Sequence, residues 1–194
     1  MERKQNTALN RLMGIFNFFK KFVTEQTQSK PFTFDNIFSL IDLTLKVEDA
    51  EIIKEFLLNR VEKSEHKNKL NENFEFCSQE IIDFMYATPI YFYGFFDWKE
   101  DSEELAVYLE KALKRNFDVE VRTNTFCDLS VLNSIDKVYK IFGENLEKFN
   151  ITLCGIDINS DSYQIMLVKK GDFEKVKQLA KNLGFEAEHY TDEW

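Results

Sequence analysis

The chain has 194 residues, 44% of them hydrophobic, with twenty phenylalanines, two histidines and a net charge of −9. A chain of that length buries about two-thirds of its unfolded surface and needs neither disulfides nor a structural metal to hold a core. An acidic body also lacks the positive footprint on which binding to a nucleic-acid backbone rests, so nucleic acid is not an expected partner.

Charge is uneven along the chain. Residues 1–30 hold six Lys/Arg against two Asp/Glu, a balance of +4, which leaves −13 on the remainder. Leu9 to Val23 places Leu12, Ile15, Phe16, Phe19 and Phe22 or Val23 on one face, with Asn17, Lys20 and Lys21 opposite. That spacing predicts an amphipathic helix packed on the domain or on a partner. Its apolar stretch is cut by Asn10, Arg11 and Asn17 and falls short of a membrane span of about 20 residues, and no small-residue cleavage site follows. Membrane anchoring and secretion are not expected. Residues 1–30 are therefore read as a basic helix and linker, and 31–194 as one α+β domain, helical over 31–88 and sheet-containing over 89–194.

Beyond Pro31, Asp35 or Asn36 caps a helix through Leu45, and Glu48–Val61 gives a second with Ile52, Ile53, Phe56, Leu57 and Val61 inward. The polar run Glu62–Asn73 is a loop or a frayed helix end, and a further helix starts at Ser78 and ends near Thr88-Pro89. Ile90–Trp98, IYFYGFFDW, is a continuous aromatic run that suits a central strand at the core of the fold. From Asp101 or Ser102 a helix covers the sheet with Leu105, Val107, Tyr108, Leu109, Ala112 and Leu113. Phe117–Arg122 alternates as a strand, and Asp128–Leu146 is mostly helical. Asn150–Asn159 and Ser162–Val168 form a hairpin around Ser160-Asp161. A helix over Asp172–Leu183, a Gly184 stop and a strand over Phe185–Tyr190 complete the order.

This order predicts an α+β fold with a mixed or largely antiparallel sheet, helices packed on one face, and additional N-terminal helices. Its two half-units, 90–122 and 151–190, suggest a ferredoxin-like core.

Chemistry concentrates at the strand-to-helix junction Asp97, Trp98, Lys99, Glu100, Asp101, Glu103 and Glu104. Asp97 and Lys99 alternate onto one strand face, as a salt bridge, a ligand site or an acid/base pair. Asp101, Glu103 and Glu104 are equally the first-turn acids that a helix dipole favours. Asp157, Asn159, Asp161 and Ser162 resemble part of a calcium loop but lack its Gly and terminal Glu, and turn formation explains them. Asp97, Asp157 and Asp161 would hold a divalent ion only if their strands adjoin. His66 and His189 have no ligand at zinc spacing. Cys77, Cys127 and Cys154 are odd in number and widely spaced, the pattern of buried thiols in a reducing, cytoplasmic compartment. No phosphate-binding glycine loop or nucleophile elbow occurs, and no cofactor is implied.

Tyr91–Leu105, YFYGFFDWKEDSEEL, and Gly155–Val168, GIDINSDSYQIMLV, resemble a family of uncharacterised bacterial domains marked by an Asp-Trp-Lys step and a later Asp-Ser-Tyr strand. The resemblance spans roughly Ile82 to Trp194, leaves the N-terminal third outside or poorly matched, and carries over Asp97, Trp98, Lys99, Glu104, Asp161 and Tyr163 without a reaction. Two functional classes remain. One is a protein-binding, adaptor- or immunity-type module, monomer or homodimer, whose acidic surface meets a basic partner. The other is a small carboxylate-based or divalent-metal-dependent enzyme.

Overall fold

Two neighbouring strands that are apolar on both faces set the layering of the molecule. In the computed structural model, which describes residues 34–63, 81, 84–85, 87–97, 102–122, 135–157, 162–183 and 185–191, four strands form an antiparallel sheet: β1 (Gly94–Asp97), β2 (Ile151–Asp157), β3 (Ser162–Lys169) and β4 (Glu186–His189). Their order is β1-β3-β2-β4. The expected hairpin is present, β2 pairing with β3 from Ile151↔Lys169 to Ile156↔Gln164.

Side chains alternate across a strand, so Ile151 and Leu153 of β2 share a face with Ile165 and Leu167 of β3, while Cys154 and Ile156 share the other with Met166 and Val168. Both faces are dry because helices cover both. Helices α1 (Phe34–Thr44) and α2 (Val47–Lys63) enclose the Cys154 face with the C-terminal helix. Helices α3 (Ser102–Phe117) and α4 (Ile135–Leu146) cover the Leu153 face, and α5 (Phe173–Leu183) is the C-terminal helix.

Each helix follows from its apolar spacing. Ile37, Leu40, Ile41 and Thr44 are the buried positions of α1, where the Thr44 hydroxyl donates to the Leu40 carbonyl at 3.0 Å. Leu105, Leu109 and Leu113 make the fully buried stripe of α3, and Val138, Phe142 and Leu146 that of α4. Val176, Leu179, Ala180 and Leu183 do the same for α5, after which the Phe185 N–H closes on the Ala180 carbonyl at 3.1 Å.

The α+β class and the antiparallel sheet agree with the sequence reading; five details differ. Helices lie on both faces rather than one, because β2 and β3 are apolar on both sides, the mark of two-sided burial. The aromatic run contributes only Gly94–Asp97 as strand, and that strand is at an edge of the sheet rather than its centre. Ile90 and Phe92, ahead of the strand, are buried in the core, as is Phe96 within it. Phe117–Arg122 contains no strand: α3 runs to Phe117, and 118–122 carries no regular structure. Ile52 and Val107, read as inward, are exposed. Both crossovers, β1 to β2 and β3 to β4, skip one strand, the split β-α-β pattern behind the ferredoxin-like expectation. A ferredoxin-like core seats its last strand beside its first, whereas here β4 lies beside β2 and β1 is at the opposite edge.

Cys154 is a buried thiol, as expected. No described helix is long and apolar enough to cross a membrane. The expected N-terminal helix, His66, Cys77, Cys127, Trp98, Lys99 and Asp161 lie outside the described residues.

Candidate functional site

The C-terminal half of α3 supplies one wall of a groove of about 780 Å³. Glu110, Lys111, Lys114 and Arg115 project from the helix, Asp118, Glu120, Val121 and Arg122 follow it, and Lys46, Pro89 and Tyr91 complete the lining.

Asp118 is where this geometry is made. Its φ of 57° lies in the left-handed region that ends helices, more often occupied by Gly or Asn. The turn lets the Asp118 N–H donate to the Lys114 carbonyl and the Val119 N–H to the Leu113 carbonyl, both at 3.2 Å, satisfying two acceptors at the helix end. The chain then folds back along α3. Asp118 meets Lys46, the residue preceding α2, at 2.6 Å, and Glu120 pairs with Lys114. The hydrogen bond from Lys46, and then its charge, hold the Asp118 carboxyl below the usual carboxylate range. Lys114 does the same to Glu120.

Behind the lining the groove is rigidly braced. Arg115 donates from Nε to Asp49 Oδ2 and from Nη2 to Asp49 Oδ1, both at 2.7 Å, a bidentate pair joining α3 to the first turn of α2. The Asp49 side chain is 4% exposed. The hydrogen bonds it donates to this carboxylate raise the Arg115 guanidinium further above its usual value. Asn116 fixes the opposite wall by donating Nδ2 to the Tyr91 carbonyl at 2.7 Å.

Five cationic and three anionic side chains thus line a concavity on a chain whose net charge is −9. The local sign opposes the global one. Arg115 is committed to Asp49, and Lys46 and Lys114 are engaged by exposed carboxylates; Lys111 is exposed and outside these pairs.

The chain belongs to the DUF6630 family. The model of this domain of unknown function matches residues 34–190. The DUF6630 match takes in α1 and α2, which the resemblance starting at Ile82 left out, so Lys46 and Asp49 are within the family domain together with α3. No curated protein and no solved structure matches the chain.

A second polar cluster of this DUF6630 domain joins the ends of β3 and β4 to the turn after α4. Glu147 accepts from Lys170 Nζ at 2.8 Å and from the Tyr190 hydroxyl at 3.1 Å, with His189 Nε2 at 3.8 Å. His189 Nδ1 lies 2.8 Å from Thr191 Oγ1, and its ring packs edge-on to Phe173. Lys170 first, then Tyr190, keep the Glu147 carboxyl below its usual range. These bonds tie three chain segments together at one end of the sheet.

The candidates read from sequence fall elsewhere. Glu104 is exposed in the first turn of α3, about 15 Å along the helix from Lys114 at 1.5 Å per residue. Asp97 pairs in register with Ser162, and Tyr163 with Phe96. Asp157 pairs with Glu186 on the far side of β3 from Asp97. Alternation puts the Asp97 and Asp157 positions on opposite faces of the sheet, so their strands do not bring them together. Among the described residues no three His, Cys, Asp or Glu side chains are grouped as metal ligands. The groove itself escaped sequence reading, although Lys111, Lys114 and Arg115 followed by Asp118 and Glu120 is a visible clustering of charge.

Proposed function

We propose that this DUF6630 domain is a binding module, of the adaptor or immunity type, that receives an acidic segment of a partner protein in the groove beside α3. The observation that carries the reading is a local excess of positive charge: five cationic against three anionic side chains line a concavity on an acidic protein. Such a patch steers an acidic segment to one place while the surrounding surface repels it elsewhere, which favours register and specificity. The volume is within the range of about 300–1,000 Å³ typical of ligand sites. Tyr91, Pro89 and Val121 add apolar contact between the charges.

This reverses the sign of partner expected from composition. A basic partner would instead meet the acids between Asp97 and Glu104 or the C-terminal group Glu186, Glu188, Asp192 and Glu193. The carboxylate enzyme would need convergent acids, and the register separates Asp97 from Asp157.

Fluorescence anisotropy with two labelled peptides of equal length, one rich in glutamate and one rich in lysine, tests the reading. The glutamate peptide binds, loses affinity as salt rises, and is weakened by Lys111→Glu. Preferential binding of the lysine peptide, or indifference to Lys111→Glu, would overturn it.

A further inference from the structure

We infer that Asp118 and Glu120 are a built-in competitor for the groove, so that the partner segment it accepts carries two carboxylates spaced to meet Lys46 and Lys114 together. This rests on the acidic-partner reading and adds to it both a ligand pattern and a mode of control. Residues 118–122 carry no regular structure and return along α3. Two residues apart on one stretch of chain, the two carboxylates engage lysines from different elements, Lys46 before α2 and Lys114 on α3. The left-handed turn at Asp118 sets the two carboxylates so that each meets one of these lysines. The domain therefore holds against its own lysines the pattern that an incoming segment has to match.

Exposure separates what exchanges from what stays. The Asp118 and Glu120 side chains are 72% and 77% exposed, and their lysines 34% and 55%. Solvated pairs of this kind are weak and open readily. Asp49 is enclosed and grips Arg115 through two bonds, so that pair remains as the floor while Lys46 and Lys114 change partners. A segment bearing two suitably spaced carboxylates replaces both internal acids at once, gaining from their linkage.

The test is the affinity of a labelled peptide alternating glutamate and threonine for the full chain and for Asp118→Asn/Glu120→Gln. Asn tolerates the left-handed backbone at 118, so the helix end is retained. The double variant is expected to bind about fivefold more tightly, the scale of freeing two exposed ion pairs. Asp42→Asn/Glu51→Gln, which frees Lys54 on α2 from its two carboxylates, makes the same change in net charge away from the groove and leaves affinity within about twofold. Equal tightening in both double variants would overturn the competitor while sparing the acidic-partner reading. Unchanged affinity in the groove variant would do the same. Failure of both the natural chain and the groove variant to bind would overturn both readings. Glu120→Gln alone gives an intermediate gain if the competitor operates, and none if it does not.

Discussion

A Cβ built on Gly143 would lie 2.2 Å from Cγ of Tyr190, so α4 packs against the C-terminal strand through a backbone surface that no side chain can share. Tyr190 cannot simply swing aside, because its hydroxyl donates to Glu147 at 3.1 Å. Gly143→Ala gains about 1 kcal/mol of helix propensity but forces an overpacked contact. The expected net loss is about 2 kcal/mol by urea unfolding. In a Tyr190→Ala background the same substitution becomes neutral or stabilising, and a penalty that persists there would place the strain elsewhere.

The Asp49–Arg115 pair gives an asymmetric prediction. Asp49 is enclosed, whereas Arg115 is 44% exposed. Removing the arginine strands a buried carboxylate, while removing the carboxylate leaves a guanidinium that water can reach. Arg115→Ala should cost about 3 kcal/mol and Asp49→Ala about half of that. Arg115→Lys should recover only part of the loss, since an ammonium cannot reproduce the two parallel bonds. Matched urea midpoints for the three variants check the order, and equal losses from the two alanine variants would contradict it.

Stability should fall on acidification through Glu147, Asp118 and Glu120, whose carboxyls all lie below their usual values in the folded chain. A carboxyl with a lowered folded pKa contributes fully above its usual value, 4.5 for a glutamate, and the contribution disappears as pH falls through the folded value. Burial, followed by the bond to Glu147, raises the Tyr190 hydroxyl above its usual 10.0, so its contribution is present below that pH and fades above it. Lys170→Met should therefore be less stable than the natural chain near neutrality and converge with it as pH falls through the lowered Glu147 value. A stability gap that does not change with pH would show that Lys170 acts through packing rather than through Glu147.

How far the sequence revealed this arrangement depends on the range of the contacts involved. The β2–β3 hairpin and α5 were legible because alternation, a short link and helical spacing are local signals. The edge position of β1 was not, since Ile90, Phe92 and Phe96 are apolar for burial in the core, which mimics a central strand. Asp118 to Arg122 alternates in sequence like a strand, yet the left-handed turn at Asp118 folds it back on α3. The groove depends on Arg115 reaching Asp49 across 66 residues and on Asp118 reaching Lys46, pairings that no window of sequence contains. The charge cluster around Lys111 was readable, but its concavity exists only once Lys46 and the first turn of α2 lie beside the end of α3.

Gln164 is the last place where folding chemistry makes a sharp claim. It is 5% exposed on β3, flanked in register by Phe95 of β1 and Ile156 of β2, and its Nε2 has no hydrogen-bond partner among the described residues. A buried amide donor without an acceptor incurs its desolvation cost with little return, and an apolar side chain of similar shape removes that cost. Gln164→Met should raise stability by about 1 kcal/mol, whereas Gln164→Ala should lower it by opening a cavity beside Phe95 and Ile156. Urea denaturation of the two variants separates the terms, because only the methionine keeps the volume while deleting the amide. A loss of stability in Gln164→Met would mean that the amide makes a bond worth more than its burial, and that this face of β3 depends on a polar contact rather than on packing alone.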